Sequence, residues 1–137
     1  MGGKGNASTN PNCIIGNKSE NIKIPNFELA DLPESKILDY LLSENHEEGW
    51  GKAKFFKSIG FTIELWEDLA IALKLHGVEN SVAKIEEREF GTRYVVEGPL
   101  KSPSGRTVKI RSVWFIATDT THPRFTTAYP LKDKVYD

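Results

Sequence analysis

Cysteine is almost missing from this 137-residue chain, which contains only Cys13. A single cysteine excludes an internal disulfide and a thiolate metal cluster. Long apolar runs are missing as well, because no stretch reaches the roughly 18 apolar residues that a membrane-spanning helix requires. No apolar segment near the N-terminus has the pattern of a signal peptide. We therefore expect no membrane segment in this sequence.

Metal-binding and nucleotide-binding motifs are also absent. The three histidines lie far apart, and the adjacent pairs Glu47-Glu48 and Glu86-Glu87 have side chains that point apart on a regular element. There is no glycine-rich phosphate loop, nucleophile elbow or HExxH sequence. We expect no metal and no cofactor. Phosphodiester cleavage that uses the RNA 2′-hydroxyl as nucleophile requires none of these motifs, only a base, an acid and a cationic clamp.

Charge is unevenly distributed along a chain whose net charge is -1. Residues 1–83 carry 8 lysines and arginines against 12 acidic residues, whereas residues 84–137 carry 10 against 7. Such a bias can create a basic face on a protein without net positive charge. A solvated sheet surface is the alternative explanation, and the overall charge argues weakly against a dedicated nucleic-acid binder.

The order of sequence patterns predicts an α+β fold. Residues 1–21 lack periodicity and predict a flexible leader or linker, so residues 22–137 would form a single α+β domain. Residues 22–27 predict an edge strand or an extended arm packed on the core. Helical spacing predicts helices at 34–44, at 52–58 and from Thr62 to Gly77. Alternation predicts strands at 81–89, 92–100, 106–118 and 124–129. We therefore expect two to three N-terminal helices packed on one face of a roughly four-stranded antiparallel sheet.

The strands predict where a site would lie. In the longest strand, residues 109, 111, 113, 115 and 117 share one face. In the last strand, Phe125, Thr127 and Tyr129 are predicted to share a face. If Arg111 lies on the same face as Thr127 and Tyr129, a guanidinium, a hydroxyl and a phenol come together, which suits a phosphate. Alternatively, Thr127 and Tyr129 are simply good strand formers that pack.

The helical half adds candidates for proton transfer and charge neutralisation. His46 lies in a predicted loop, and Lys52 begins the next predicted helix. A histidine is suited to acid–base work near neutral pH, and a lysine can stabilise negative charge on phosphorus. An ordinary loop histidine and a solvated lysine are the alternative. His122 is a second candidate acid–base group.

The order of several short segments resembles a small uncharacterised bacterial domain family. The matching segments are KILDYLL (36–42), NH (45–46), GKAKFF (51–56), GF (60–61), FGTRYVVEG (90–98), SPSGR (102–106), RSVW (111–114) and TAYP (127–130). Domains of this kind resemble the C-terminal effectors of bacterial polymorphic or contact-dependent growth-inhibition toxins. Their plan is similar to the barnase/EndoU/colicin/RelE-like ribonuclease fold.

The resemblance implies a metal-independent endoribonuclease toxin that cleaves RNA, with tRNA as the favoured class, by 2′-hydroxyl attack. It implies a cognate immunity protein, delivery from the cell surface as part of a larger secreted protein, and action in the target-cell cytoplasm. The expected catalytic residues are His46, Lys52, Arg111, Thr127 and Tyr129. The expected substrate-binding residues are Lys54, Arg93, Lys109, His122 and Arg124. A non-catalytic interaction module, such as an immunity or adaptor protein, is the alternative function, and an enzyme of another class that uses the same open sheet face is a third.

Overall fold

The computed structural model describes residues 22–43 and 50–131, so the predicted leader at 1–21 lies outside the described residues. A 3-10 turn (Phe27–Leu29) precedes helix α1 (Glu34–Lys36), which continues as a π-helical segment (Ile37–Leu41). Helices α2 (Trp50–Ser58) and α3 (Trp66–Glu79) follow. The strands are β1 (Val82–Arg88), β2 (Gly91–Lys101), β3 (Thr107–Ala117) and β4 (Arg124–Pro130). The predicted α+β fold, with helices preceding a four-stranded antiparallel sheet, is confirmed.

The sheet has the strand order β1-β2-β3-β4, so each strand pairs with its neighbour in sequence. The hairpin between β2 and β3 is regular from Lys101↔Thr107 to Gly91↔Ala117. Its turn contains Gly105 at a φ of 90°, a conformation that glycine adopts without a steric penalty. This fixed register determines which side chains of β2 and β3 face each other across the sheet.

The core lies between the helices and one face of the sheet. The Trp114 ring is fully buried and meets the Phe27 and Phe125 rings edge-on, with centroids 4.7 and 5.2 Å away. Val82 donates its backbone N–H to the Ile22 carbonyl at 2.8 Å, and Ile24 is buried, so residues 22–27 form the predicted arm. None of the helices in these two ranges is long and apolar enough to cross a membrane.

Two helix boundaries differ from the sequence prediction. Helix α3 begins at Trp66 and not at Thr62, because the Thr62 hydroxyl accepts the Leu65 N–H in a separate turn. Gly77 does not end this helix, which continues to Glu79. A Cβ at Gly77 would overlap the Phe27 ring. The absence of a side chain at this glycine therefore allows the ring of Phe27, in the arm, to pack against the helix.

The predicted helix at 34–44 is likewise only partly α-helical. It changes after Lys36 to a π-helical turn in which Leu42 donates its N–H to the Ile37 carbonyl at 2.7 Å. The wider turn places both Ile37 and Leu41 in the core while Tyr40 stays half-buried.

A β-bulge in strand β4 corrects the prediction that Phe125, Thr127 and Tyr129 share a face. Val113 pairs with Thr127, but the next residue of β3, Trp114, pairs with Phe125. Thr126 is therefore an extra residue, and the bulge reverses the alternation at that point. Phe125 enters the core beside Trp114, whereas Thr127 and Tyr129 lie on the opposite face. We call that opposite face the outer face.

Candidate functional site

Arg111 and Tyr129 are direct cross-strand partners on the outer face of strands β3 and β4. Arg111 Nη1 donates to the Tyr129 hydroxyl at 3.1 Å, and the guanidinium carbon lies 5.6 Å from the centroid of the phenol ring. Antiparallel pairing brings such residues within side-chain reach. The predicted meeting of a guanidinium and a phenol on one sheet face is therefore present in the structure.

Glu97 faces Arg111 from the other side, across the β2–β3 pair. Its carboxylate accepts the Arg111 Nε–H at 2.8 Å and also binds Nη2. Hydrogen bonds with Tyr129 and Glu97 raise the pKa of Arg111 above its ordinary value. Both side chains of the ion pair remain 34% exposed. The guanidinium is therefore fixed in position, fully charged and still accessible to a ligand.

Two side chains from the helical half complete the cluster. The Tyr40 hydroxyl, from the π-helical segment, lies 3.0 Å from Thr127 Oγ1. The ammonium of Lys52, from α2, lies 5.4 Å from the Tyr40 ring centroid and 5.9 Å from the Tyr129 ring centroid. Both ammonium–ring distances fall within cation–π range. The helices thus reach round the β4 edge of the sheet, and we call this set of residues the Arg111 cluster: Tyr40, Lys52, Glu97, Arg111, Thr127 and Tyr129.

The hydrogen bonds around Arg111 leave some of its donors for a ligand. A guanidinium has five N–H donors. Contacts within the described parts of the chain use the Nε–H, one N–H of Nη1 and one N–H of Nη2. One N–H on each terminal nitrogen remains, and such charged donors bind the oxygens of a phosphate or carboxylate.

The structure brings Lys52, Arg111, Thr127 and Tyr129 together, but it does not bring every predicted residue to this place. His46 lies outside the described residues. Lys54 is exposed on α2, and Lys109 is exposed on β3 two residues before Arg111, opposite Pro99. Lys109 therefore borders the Arg111 cluster on the same face.

Arg93 and Arg124 lie at the far end of the sheet, where both pair with Phe115. Arg93 binds Glu86, and hydrogen bonds from Lys84 and Arg93 lower the pKa of Glu86 to about 2. Arg124 Nε lies 4.0 Å from the Asp31 carboxylate. These two arginines are separated from Arg111 by four or more residues along the strands and form no part of its cluster.

His122 is exposed in the loop before β4, at the same far end as Arg124. The proposed second acid–base histidine is therefore remote from the Arg111 cluster. A role for His122 in proton transfer at Arg111 has no geometric support in the structure.

Sequence reasoning did not identify Glu97 and Tyr40 as members of the cluster. A signal for Glu97 was present, because a hairpin centred on Ser104 places residue 97 opposite residue 111. Tyr40 gave no comparable signal. It lies in the π-helical segment, whose position against β4 depends on tertiary packing.

A second polar group is buried beneath the sheet and makes no part of this cluster. His76 Nε2 lies 3.1 Å from the Gly98 carbonyl, an acceptor only, so Nε2 carries the proton and donates. Nδ1 must then accept the Ser112 hydroxyl proton, at 2.8 Å, while Ser112 Oγ accepts the Trp114 indole N–H at 3.0 Å. Every polar atom of this group is satisfied, which indicates a structural role.

A cavity of about 540 Å³ lies between α3 and the β2–β3 hairpin, away from the Arg111 cluster. Its lining is largely apolar and includes Ile71, Leu75, Leu100 and Pro103. The cavity shares no residue with the Arg111 cluster, so the cavity and the cluster are two separate candidate binding sites.

Comparison with known proteins adds a family and a fold relative. The family described as Domain of unknown function (DUF6883) matches residues 23–132. The chain belongs to this DUF6883 family. The match covers every helix and strand given above, including the whole Arg111 cluster.

This DUF6883 domain is similar in fold to a chain of a contact-dependent growth inhibition toxin–immunity protein complex from Klebsiella pneumoniae 342, with a TM-score of 0.61 and 19% sequence identity. The similarity covers 78% of this chain and 97% of that chain. No curated protein matches the sequence.

Proposed function

We propose that this protein is a metal-independent endoribonuclease toxin that cleaves RNA, with tRNA as the favoured class, by attack of a 2′-hydroxyl. The observation that carries the proposal is the Arg111 cluster, in which a fixed guanidinium, a lysine and three hydroxyl groups, supplied by strands and helical segments, meet on an accessible face. A cationic clamp with hydroxyl donors is what a metal-free phosphodiester cleavage requires around the phosphate.

Arg111 would hold the scissile phosphate through its open Nη1 and Nη2 donors. Glu97 keeps the guanidinium oriented without occupying those two open N–H donors. The Lys52 ammonium, held between the rings of Tyr40 and Tyr129, adds a second positive charge near the same place. As the phosphorus becomes five-coordinate, its oxygens gain negative charge. Preorganised cations therefore stabilise the five-coordinate state more strongly than they stabilise the bound substrate.

The hydroxyl groups of Thr127 and Tyr129 would orient the phosphate beside the cations. In the reaction, a base removes the proton of the 2′-hydroxyl, the 2′-oxygen forms a bond to phosphorus, and the bond from phosphorus to the 5′-oxygen breaks. An acid returns a proton to that 5′-oxygen. The products are a 2′,3′-cyclic phosphate and a 5′-hydroxyl, and His46 remains the predicted group for the proton transfers.

The fold similarity to a chain from a toxin–immunity protein complex supports a toxin role and an immunity role alike. The toxin role requires a cognate immunity protein and delivery into the target-cell cytoplasm from a larger secreted or surface protein. These two features belong to the proposal and are tested separately from the chemistry.

A non-catalytic interaction module, such as an immunity or adaptor protein, is the second candidate function. One surface feature favours it. Ile71, Leu75 and Val78 form a row along α3 and are 59%, 49% and 52% exposed. Exposed apolar rows of this kind commonly mark protein contacts. This function requires the α3 row but not the Arg111 cluster, so variants of each surface separate the two candidates.

The deciding experiment is induced expression of the domain in a bacterial cell, followed by analysis of growth and of total RNA. Wild type should arrest growth and produce discrete RNA fragments with 2′,3′-cyclic phosphate ends. Arg111→Gln should restore growth and leave the RNA intact. Arg106→Gln is the matched control, because Arg106 is exposed at the β2–β3 turn, about 17 Å along the strand from residue 111.

Purified protein tests the chemistry directly. Cleavage should persist in the presence of a chelator and should stop on an oligonucleotide that lacks the 2′-hydroxyl at the cleaved nucleotide. Intact RNA in a clearly poisoned cell would overturn the ribonuclease proposal. A harmless wild-type protein that captures one partner through the α3 row would favour the interaction module.

A further inference from the structure

We propose that Lys36 and Tyr40 form a second phosphate subsite beside the Arg111 cluster, so that the site holds two consecutive phosphates of a single RNA strand. This inference rests on the proposed ribonuclease function and specifies its substrate as single-stranded at the cleaved position.

The β-bulge in strand β4 fixes the position of Lys36. Thr126 is the extra residue of the bulge, and its carbonyl accepts a hydrogen bond from Lys36 Nζ at 3.1 Å. The lysine is half-buried, so its stem is held against the protein. Of the three N–H donors of an ammonium group, this contact uses one.

Tyr40 connects this lysine to the rest of the site. The Lys36 ammonium lies 5.2 Å from the Tyr40 ring centroid, and the Lys52 ammonium lies 5.4 Å from the same centroid. Both ammonium groups therefore contact one aromatic ring, and its hydroxyl is anchored at 3.0 Å by Thr127. Lys36, Lys52 and Arg111 form a row of three cations that are linked by their contacts with the rings of Tyr40 and Tyr129.

The positive charges along the row favour the binding of a polyanion. Glu97 is engaged by Arg111 at one end. Within residues 22–43 and 50–131, no carboxylate forms an ion pair with Lys36. A positive row with phenol rings along it is the arrangement that binds single-stranded nucleic acid through its phosphates and bases.

The path of the row excludes a stiff duplex. Arg111 lies on the outer face of the sheet, whereas Lys36 lies at the β4 edge, bound to the bulge. A strand that contacts both must bend from the face over the edge. Double-stranded DNA stays straight over about 50 nm, while a single strand can follow such a path.

The test measures the affinity of oligonucleotides as a function of salt concentration. Short single strands of 2′-O-methyl RNA serve as probes, because the blocked 2′-oxygen cannot attack and binding is observed without cleavage. For a single strand, each neutralised phosphate contributes about 0.7 to the slope of log affinity against log salt. Lys36→Gln should therefore reduce the slope by about 0.7, and Lys36→Arg should restore it.

Lys23→Gln is the matched control. Lys23 also donates to a backbone carbonyl, that of Val78 at 3.2 Å, but it lies next to Ile22, which pairs with strand β1 at the opposite edge of the sheet. The variant removes the same charge and the same kind of hydrogen bond. It should leave both the slope and the affinity unchanged.

Probe length provides a second measurement. A dinucleotide with one internal phosphate should bind wild type and Lys36→Gln equally, whereas a trinucleotide with two should bind the variant several-fold more weakly. An unchanged slope in Lys36→Gln, or equal affinity for duplex RNA, would overturn the subsite. Absence of RNA cleavage by the wild type would instead overturn the proposed function itself, so the two failures are distinguishable.

Discussion

The carboxylate of Glu97 holds the guanidinium of Arg111 by its Nε–H at 2.8 Å, across the two interior strands of the sheet. This pair fixes the orientation of the cation on which the proposed site depends. Because both side chains are about one-third exposed, the pair itself contributes only about 0–1 kcal/mol to stability. Its importance is therefore expected in function more than in folding.

Replacement of Glu97 by Gln tests this interpretation. The variant removes a negative charge from the site but also loosens Arg111, so RNA affinity should be retained or increased while the cleavage rate falls about tenfold. Binding to a non-cleavable 2′-O-methyl strand and single-turnover cleavage measure the two effects. Loss of affinity together with an unchanged rate would contradict an orienting role.

Tyr129→Phe should lower the cleavage rate by about ten- to a hundredfold, because it removes the hydroxyl that accepts the Arg111 Nη1–H while keeping the ring beside Lys52. The cost in folding free energy should stay near 1 kcal/mol. Tyr94→Phe is a suitable control, since Tyr94 pairs with Trp114 and packs on the core face. Equal cleavage by wild type and Tyr129→Phe would remove the phenol from the mechanism.

Two glycines in helices are expected to respond in opposite ways to alanine. Gly77→Ala places a methyl group in the space of the Phe27 ring and should destabilise the fold by about 1–3 kcal/mol. Gly51 in α2 has open space around it, so Gly51→Ala should be neutral or stabilising by up to about 1 kcal/mol. Urea denaturation of both variants measures the difference, and equal stabilities would show that the arm does not pack against α3.

Stability should fall in mild acid because of His76. Burial lowers the pKa of this imidazole below its ordinary value, while hydrogen bonds with the backbone of Gly98 and Ile110, and then the charge of Glu79, act more weakly in the opposite direction. The unfolded chain therefore binds the proton first as the pH falls through about 6.5. The free energy of unfolding should decrease below that pH by up to about 1.4 kcal/mol per pH unit. The contribution of His76 to the free energy of unfolding should stop changing once the pH is below the pKa of His76 in the folded state.

His76→Gln should flatten this part of the profile, because glutamine has no proton to gain. Unfolding by urea at a series of pH values between 5 and 8, for wild type and variant, checks the sign. The same slope in both proteins would show that another group is responsible.

The fold class could be predicted from the sequence because the local patterns and their order along the chain indicate the same α+β fold. The strands alternate cleanly, and the Pro103–Gly105 turn fixes the β2–β3 register through φ-positive Gly105. The meander needs only neighbour-to-neighbour pairing. Periodicity placed Thr127 and Tyr129 on one face, whereas the position of Arg111 on that face depended on the pairing of β3 with β4. Helix ends were predicted less well, since Thr62 forms a local turn with Leu65 before the helix, and Gly77 makes room for the Phe27 ring within it.

By itself, the amino-acid sequence determined the α+β plan and the shared face of Thr127 and Tyr129, because a period of two and a tight turn are local properties. Only the tertiary structure decided that Phe125 turns into the core at a bulge, that Lys36 binds the carbonyl which this bulge presents, and that Tyr40 and Lys52 reach over the β4 edge. These contacts join residues 77 to 90 positions apart. Their geometry is set by the packing of helices on the sheet, which no local pattern encodes.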